Sequence, residues 1–113
     1  MSDNCLFCKI ARGDIPATIV AESKSCLAFR DIDPKAPVHC LVIPRMHIDS
    51  LDATHDEALL GELLLLAASV ARQEGIAENG YRVVANTNAD GGQTVFHLHL
   101  HVLGGRGLSW PPG

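Results

Sequence analysis

Val95-Phe96-His97-Leu98-His99-Leu100-His101-Val102-Leu103, residues 95–103, alternates apolar and imidazole side chains with a period of two. That is the period of a strand, whose successive side chains face opposite sides. His97, His99 and His101 are expected on one face, and Leu98, Leu100 and Val102 on the other, toward a core. Three histidines on one face would each need hydrogen-bond partners, at a desolvation cost that a purely structural core has no reason to bear. The pattern points to chemistry, and two kinds fit it. One is a metal held directly by imidazoles at i and i+2, as in three-histidine zinc sites. The other is a single nucleophilic imidazole whose neighbours manage protons.

Residues 86–94, just upstream, are polar and tighten at Asp90-Gly91-Gly92. Small residues in Gly91-Gly92-Gln93-Thr94 expose backbone N–H groups to an anion, while Thr94 adds a hydroxyl and Asn86 and Gln93 add amides. Residues 81–85 precede this loop as a strand. The clearest helix lies further back, between a capping-box pattern at Thr54-x-x-Glu57 and a stop at Gly75. Leu59, Leu60, Leu63, Leu66, Ala67 and Val70 keep helical spacing across it. Leu63, Leu64, Leu65 and Leu66 wrap nearly the whole circumference, so one sheet cannot cover this helix, and a second copy of the chain is expected against it. His55, beside the cap, is expected to be exposed and without a role.

In the N-terminal half, a short helix is expected over residues 5–11, stopped near Gly13. Strands over 18–22 and 26–29 flank the turn Ser23-Lys24-Ser25. Asp31-Ile32-Asp33-Pro34 through Pro37 is a loop, and residues 38–43, with His39, form an apolar strand ended by Pro44. Strands grouped around one long helix, without strict β-α-β alternation, predict an α+β fold with an antiparallel sheet.

At 113 residues the chain has room for one domain, and 47% hydrophobic with 19% charged residues excludes a disordered composition. Nine basic against 13 acidic residues leave no basic field for tracking a nucleic acid. The start shows no signal-peptide pattern, and the most apolar stretch, 59–71, is interrupted by Gly61, Glu62 and Ser69 and is too short to span a bilayer. A cytoplasmic protein with no membrane partner and reduced cysteines is expected. Cys26 and Cys40 read as small buried hydrophobes. Cys5-x-x-Cys8 is half of a tetrahedral zinc site and needs two ligands from elsewhere.

With these residues in place, the chain resembles the histidine triad (HIT) superfamily and, within it, the HINT branch of nucleoside phosphoramidases. The resemblance is carried by Phe7-Cys8-Lys9-Ile10, Ile15-Pro16-Ala17, Cys26-Leu27-Ala28-Phe29, Asp31-Ile32, Ala36-Pro37, His39, Leu41-Val42-Ile43-Pro44 and His47-Ile48. It continues through Asp90-Gly91-Gly92-Gln93 and residues 97–103. Gly104-Gly105-Arg106 and the tail Trp110-Pro111-Pro112-Gly113 point to HINT over the dinucleoside polyphosphate hydrolases.

The resemblance implies a single HIT domain over 1–113, with a five-stranded antiparallel sheet, one long helix and a short N-terminal helix. It also implies a homodimer that forms one continuous sheet. The implied activity is hydrolysis of purine nucleoside 5′-phosphoramidates, such as adenosine 5′-monophosphoramidate, through a nucleotidyl-histidine intermediate on His99. The carbonyl of His97 would fix the tautomer of His99, with His101 and His39 flanking the phosphate. Thr94 and the backbone N–H groups of Gln93 and Thr94 would hold phosphate oxygens or the leaving nitrogen, in a loop that also brings Asn86 and Gly92 to the nucleotide. Asp31 would accept from the ribose hydroxyls, and Phe7, Ile10, Ile15, Ile32 and Leu41 would form the base slot, too apolar to separate adenine from guanine strongly.

Members of this superfamily with the N-terminal Cys-x-x-Cys complete a structural zinc site with two histidines, which are His47 and His97 here, and no catalytic metal is expected. Arg30 stands where relatives carry histidine, and the C-terminal tail is implied to reach toward the partner's site. The rival expectations are a dinucleoside polyphosphate hydrolase and a nucleotide-binding regulatory dimer whose hydrolysis is incidental.

Overall fold

The computed structural model describes residues 4–113. Its first element, helix α1 (Leu6–Arg12), starts at an extended Cys5 whose sulfur accepts from the Cys8 N–H. It ends where Gly13 turns left-handed at φ +81°, so that the N–H groups of Gly13 and Asp14 return to the carbonyls of Ile10 and Lys9. Strands β1 (Ile19–Glu22), β2 (Cys26–Arg30), β3 (Val38–Pro44), β4 (Tyr81–Val84) and β5 (Leu100–Gly104) form one sheet in the order β1-β2-β3-β5-β4, antiparallel throughout. With the long helix α2 (Glu57–Gln73), this is the expected α+β architecture.

Each face of the sheet has its own cover. On one side, Leu63, Leu66, Ala67, Val70 and Ala71 of α2 pack on Cys26, Ala28, Cys40, Val42, Leu98, Leu100 and Val102. On the other, Phe7 of α1 joins Leu27, Phe29, Leu41 and Ile43. Cys26 and Cys40 are fully buried hydrophobes, and burial, aided by the Glu62 carboxylate, pushes the Cys26 thiol up to about 12. That carboxylate also fastens the β1–β2 turn, accepting from the Ser25 N–H at 2.7 Å and from the Ser23 hydroxyl.

Two boundaries differ by more than one residue from those expected. The N-cap of α2 is Asp56, whose carboxylate accepts from the Leu59 N–H at 3.0 Å, so the Thr54–Glu57 capping box does not form. Thr54 is instead the extended exit of a 3₁₀ turn, Leu51–Ala53, and its hydroxyl accepts from the Asp56 N–H. At the other end Gly75, at φ +78°, closes the helix as expected, with the Gly75 and Ile76 N–H groups bonded to the carbonyls of Arg72 and Ala71.

The second difference lies in the histidine stretch, where β5 begins at Leu100 rather than at residue 95. Pro44 ends the neighbouring β3 without an N–H to donate, and its carbonyl accepts from the His97 ring at 2.8 Å. The His97 carbonyl in turn accepts from the His99 ring, and the Leu98 N–H goes to Ile48. Two ring-to-carbonyl bonds and one loop backbone bond stand in place of the ladder here, while Leu98, Leu100 and Val102 still reach the α2 core.

Leu63 and Leu66 are buried, but Leu64 and Leu65 are 55% and 72% exposed. His55 is exposed, as expected. Among the described residues, no helix is long and apolar enough to cross a membrane.

Candidate functional site

The α1 face of the sheet carries an imidazole whose proton is placed by the backbone two residues before it. Nδ1 of His99 lies 2.7 Å from the carbonyl oxygen of His97. A carbonyl only accepts, so Nδ1 carries the hydrogen and Nε2 keeps its lone pair. The ring is buried, with Phe7 edge-on at 5.1 Å between centroids.

A second chain of bonds orders the neighbouring rings. The Lys35 backbone N–H donates to His39 Nδ1 at 3.0 Å, which places the His39 proton on Nε2. That N–H donates to His101 Nδ1 at 2.9 Å, leaving the His101 proton on its own Nε2. Burial pushes both rings below the ordinary histidine pKa, His101 to about 4 with help from His99 and His39. The Asp31 carboxylate, 3.4 Å from His39 Nε2, opposes the shift without cancelling it. Both rings are therefore neutral at pH 7.

Asp31, His39 and His101 also lie close enough to share a cation. Their tautomers argue otherwise: a metal on His39 Nε2 would force a proton onto Nδ1, where the Lys35 N–H already points. Nor do His97, His99 and His101 converge on one ion, because His97 turns its ring to the cysteines and His99 commits Nδ1 to a carbonyl.

Beside these rings lies a cleft of about 270 Å³. Its apolar walls include Phe7, Ile10, Ile15, Ile32 and Leu41, with Arg30, Asp31, Thr94, His99 and His101 as the polar members. Leu6, Pro16, Ala17, Phe29 and Val95 line it too, although the sequence does not point to them as nucleotide contacts. Phe29 carries a legible signal, since it shares a strand face with Leu27 two residues away. His39 stands behind His101 rather than on the wall.

Asn86, Gly92 and Gln93 are not among the walls. The Gln93 amide clasps its own loop, accepting from the Asn88 N–H at 2.9 Å and donating to the carbonyls of Asp49 and Val95. Its backbone N–H is also committed, to the Asn88 carbonyl at 3.1 Å, and that of Gly92 goes to Ala89. Gln93 thus shapes the loop that presents Thr94 and has no N–H left for a phosphate. Gly91 permits the fold of that loop, since a Cβ there would stand 2.4 Å from the Thr87 carbonyl oxygen.

Behind the cleft, Cys5, Cys8, His47 and His97 bring their ligand atoms together. Cys5 Sγ and Cys8 Sγ lie 3.3 and 3.5 Å from His97 Nδ1, and Cys8 Sγ lies 3.3 Å from His47 Nδ1. Zinc bonds of ~2.3 Å to sulfur and ~2.0 Å to nitrogen would set such atoms roughly 3.5 Å apart in a tetrahedron. Each imidazole directs its other nitrogen outward: His97 Nε2–H to the Pro44 carbonyl and His47 Nε2–H to Asp49 Oδ1 at 2.7 Å. Such outer bonds orient metal-binding histidines. Burial also pushes His97 down and so favours its neutral, ligating form. These four residues could hold a metal such as zinc. Asp49, two positions after His47, went unnoticed in the sequence, although a carboxylate near a ligand histidine is a usable signal.

Arg30, which also lines the cleft, pairs its guanidinium with Glu74 at the end of α2. Trp110 is largely exposed, 6.0 Å from the Arg82 guanidinium, and the Ser109 carbonyl accepts from Arg82 at 2.9 Å.

The fold and these residues define a known class. The HIT domain model matches residues 12–108, and the chain belongs to the HIT family. It is 49% identical over 111 residues to the purine nucleoside phosphoramidase of Escherichia coli K12, covering 96% of this chain and 92% of that protein. It is 58% identical to an uncharacterized HIT-like protein of Synechococcus elongatus, with both chains fully covered. The crystal structure of a HIT family hydrolase from Legionella pneumophila superposes with a TM-score of 0.94 at 55% identity, covering 97% of this chain and all of that one.

Proposed function

We propose that this protein is a hydrolase of purine nucleoside 5′-phosphoramidates that works through a nucleotidyl intermediate on His99. The observation that carries the reading is the 2.7 Å bond from His99 Nδ1–H to the His97 carbonyl, which turns Nε2 into the nitrogen available as nucleophile at a cleft. The relationship to the E. coli phosphoramidase supports the substrate class.

Base and ribose occupy the apolar part of the cleft, with Asp31 accepting from the ribose hydroxyls. His99 Nε2 attacks phosphorus, forming a P–N bond as the bond to the leaving nitrogen breaks. Nε2–H of His101, held by His39, and the Thr94 hydroxyl stabilise the oxygens and leaving nitrogen, which is most of what phosphoryl transfer requires. The departing amine takes a proton from solvent in the first half, and in the second half water cleaves the P–N bond to His99 and releases a proton to solvent, so that the two halves balance.

Zinc on Cys5, Cys8, His47 and His97 completes a closed structural site in this reading and supplies rigidity rather than reaction chemistry. Residues 1–113 act as one domain, in the cytoplasm. The exposed Leu64 and Leu65, together with β4 at the sheet's end, favour a homodimer with a continuous sheet.

Acid-free quenching of the protein with adenosine 5′-phosphoramidate, followed by peptide mass spectrometry, tests the reading. An adenylyl group on His99 is expected; one on His97 or His101 would overturn the assignment.

A further inference from the structure

Arg106 is not on the wall of the cleft, yet one loop ties it to the rings there. Its guanidinium donates from Nη2 to the Lys35 carbonyl at 2.9 Å and from Nη1 to the Gly107 carbonyl at 3.0 Å. The Lys35 N–H is the group that donates to His39 Nδ1. We propose that Arg106 is a positioning residue, holding the 31–37 loop so that Lys35 sets the tautomer of His39 and, through it, of His101. The consequence for turnover rests on the phosphoramidase reading, whereas the consequence for the two rings does not.

The path begins at the end of β5. Gly105 turns left-handed at φ +91°, and a Cβ there would stand 2.9 Å from Pro37 Cβ, so glycine lets the chain close on the loop. The next residue, Arg106, bridges this turn and Lys35 with the two arms of a rigid, permanently charged fork. Among the described residues, the other hydrogen bonds of residues 31–37 run within the loop or to His39. The Asp33 N–H meets Asp31 Oδ1 at 2.8 Å, the Asp31 N–H meets the His39 carbonyl at 3.0 Å, and Lys35 Nζ meets Asp33. Arg106 is thus the loop's hydrogen-bond anchor from a distant part of the chain.

The tautomer matters because the two rings form a directed pair. With the Lys35 N–H on Nδ1, His39 donates from Nε2 to His101 Nδ1 at 2.9 Å, and His101 presents its own Nε2–H as a donor. Without the Lys35 N–H the pair can reverse. His39 then carries its proton on Nδ1, His101 donates from Nδ1 to His39 Nε2, and His101 Nε2 turns outward as a lone pair. A donor for phosphate oxygens becomes an acceptor that repels them. The Asp31 carboxylate, 3.4 Å from His39 Nε2, favours the same proton position and belongs to the same loop.

Long-range proton–nitrogen correlation spectra of histidine-labelled protein read each ring's tautomer, and kcat for adenosine 5′-phosphoramidate reads the consequence. In the natural chain His39 and His101 should carry their protons on Nε2, and His99 on Nδ1. Arg106→Ala should move His39 and His101 together toward a mixture of tautomers, leave His99 unchanged and lower kcat roughly fivefold. Arg106→Lys keeps one cationic donor for the Lys35 carbonyl and should restore both tautomers and most of the rate. His39 and His101 rings that keep their Nε2 protons in Arg106→Ala would overturn the inference, whatever happens to the rate. Tautomers that change in Arg106→Ala, beside a natural chain that does not turn over the phosphoramidate, would support the positioning and overturn the phosphoramidase reading.

Discussion

The carbonyl oxygen of His97 accepts from Nδ1 of His99 at 2.7 Å, so the residue that faces the cysteines also sets the tautomer of the residue that faces the cleft. Because the contact is a backbone group, no side-chain substitution at position 97 removes it directly; a change there acts through the position of the chain.

His99→Ala should therefore abolish nucleotidyl transfer, lowering kcat by roughly 10⁴-fold or more with little change in fold. Turnover of adenosine 5′-phosphoramidate beside the circular dichroism spectrum checks it. A variant that kept a tenth of the rate would move the nucleophile elsewhere.

Metal analysis should find one zinc per chain. Stripping it with a chelator, or Cys8→Ser, should lower the melting temperature by about 5 °C or more. Single-turnover measurement on metal-free protein that is still folded should show the chemical step persisting. A chemical step that vanishes while the fold holds would revive a direct role for the ion.

Acid should unfold the protein early, and His101 should contribute to this. Its pKa falls from 6.5 to about 4 through burial, with His99 and His39 adding to the shift. Between those values the unfolded chain holds more protons than the folded one, so the contribution to stability is complete above pH 6.5 and is lost as pH falls toward 4. Denaturant midpoints at several pH values should show a shallower decline for His101→Gln than for the natural chain. Parallel declines would exclude the assignment.

Leu65→Glu places a charge on the exposed side of α2. Light scattering should show a dimer for the natural chain and a monomer for the variant, with the helix content retained. A natural chain that is already monomeric at micromolar concentration would remove the homodimer.

Much of this organisation was legible in the sequence because it depends on periodicity and on local chemistry. The alternation at 97–101 correctly separated Leu98, Leu100 and Val102 from the imidazoles, and Gly13 and Gly75 marked helix ends by their left-handed backbone. The strand boundary at Leu100 was not legible, since it depends on the Pro44 carbonyl accepting from a ring 53 positions away. The cap at Asp56 was lost to Thr54 because both residue types cap well, and only the preceding 3₁₀ turn decides between them. Gln93 was placed at the phosphate because a Gly-rich loop advertises its N–H groups; which of them the loop spends on itself appears only after folding.

Helix α1 is seven residues long, too short to persist by itself, yet consecutive positions on it serve two places. Cys8 belongs to the cysteine–histidine cluster, and Phe7 rests against the His99 ring. Proteolysis after Lys9 would thus remove one wall of the cleft and both cysteines of the cysteine–histidine cluster in a single cut. A bulky fusion at the N-terminus should accordingly be felt at His99, whereas an insertion at His55 should not.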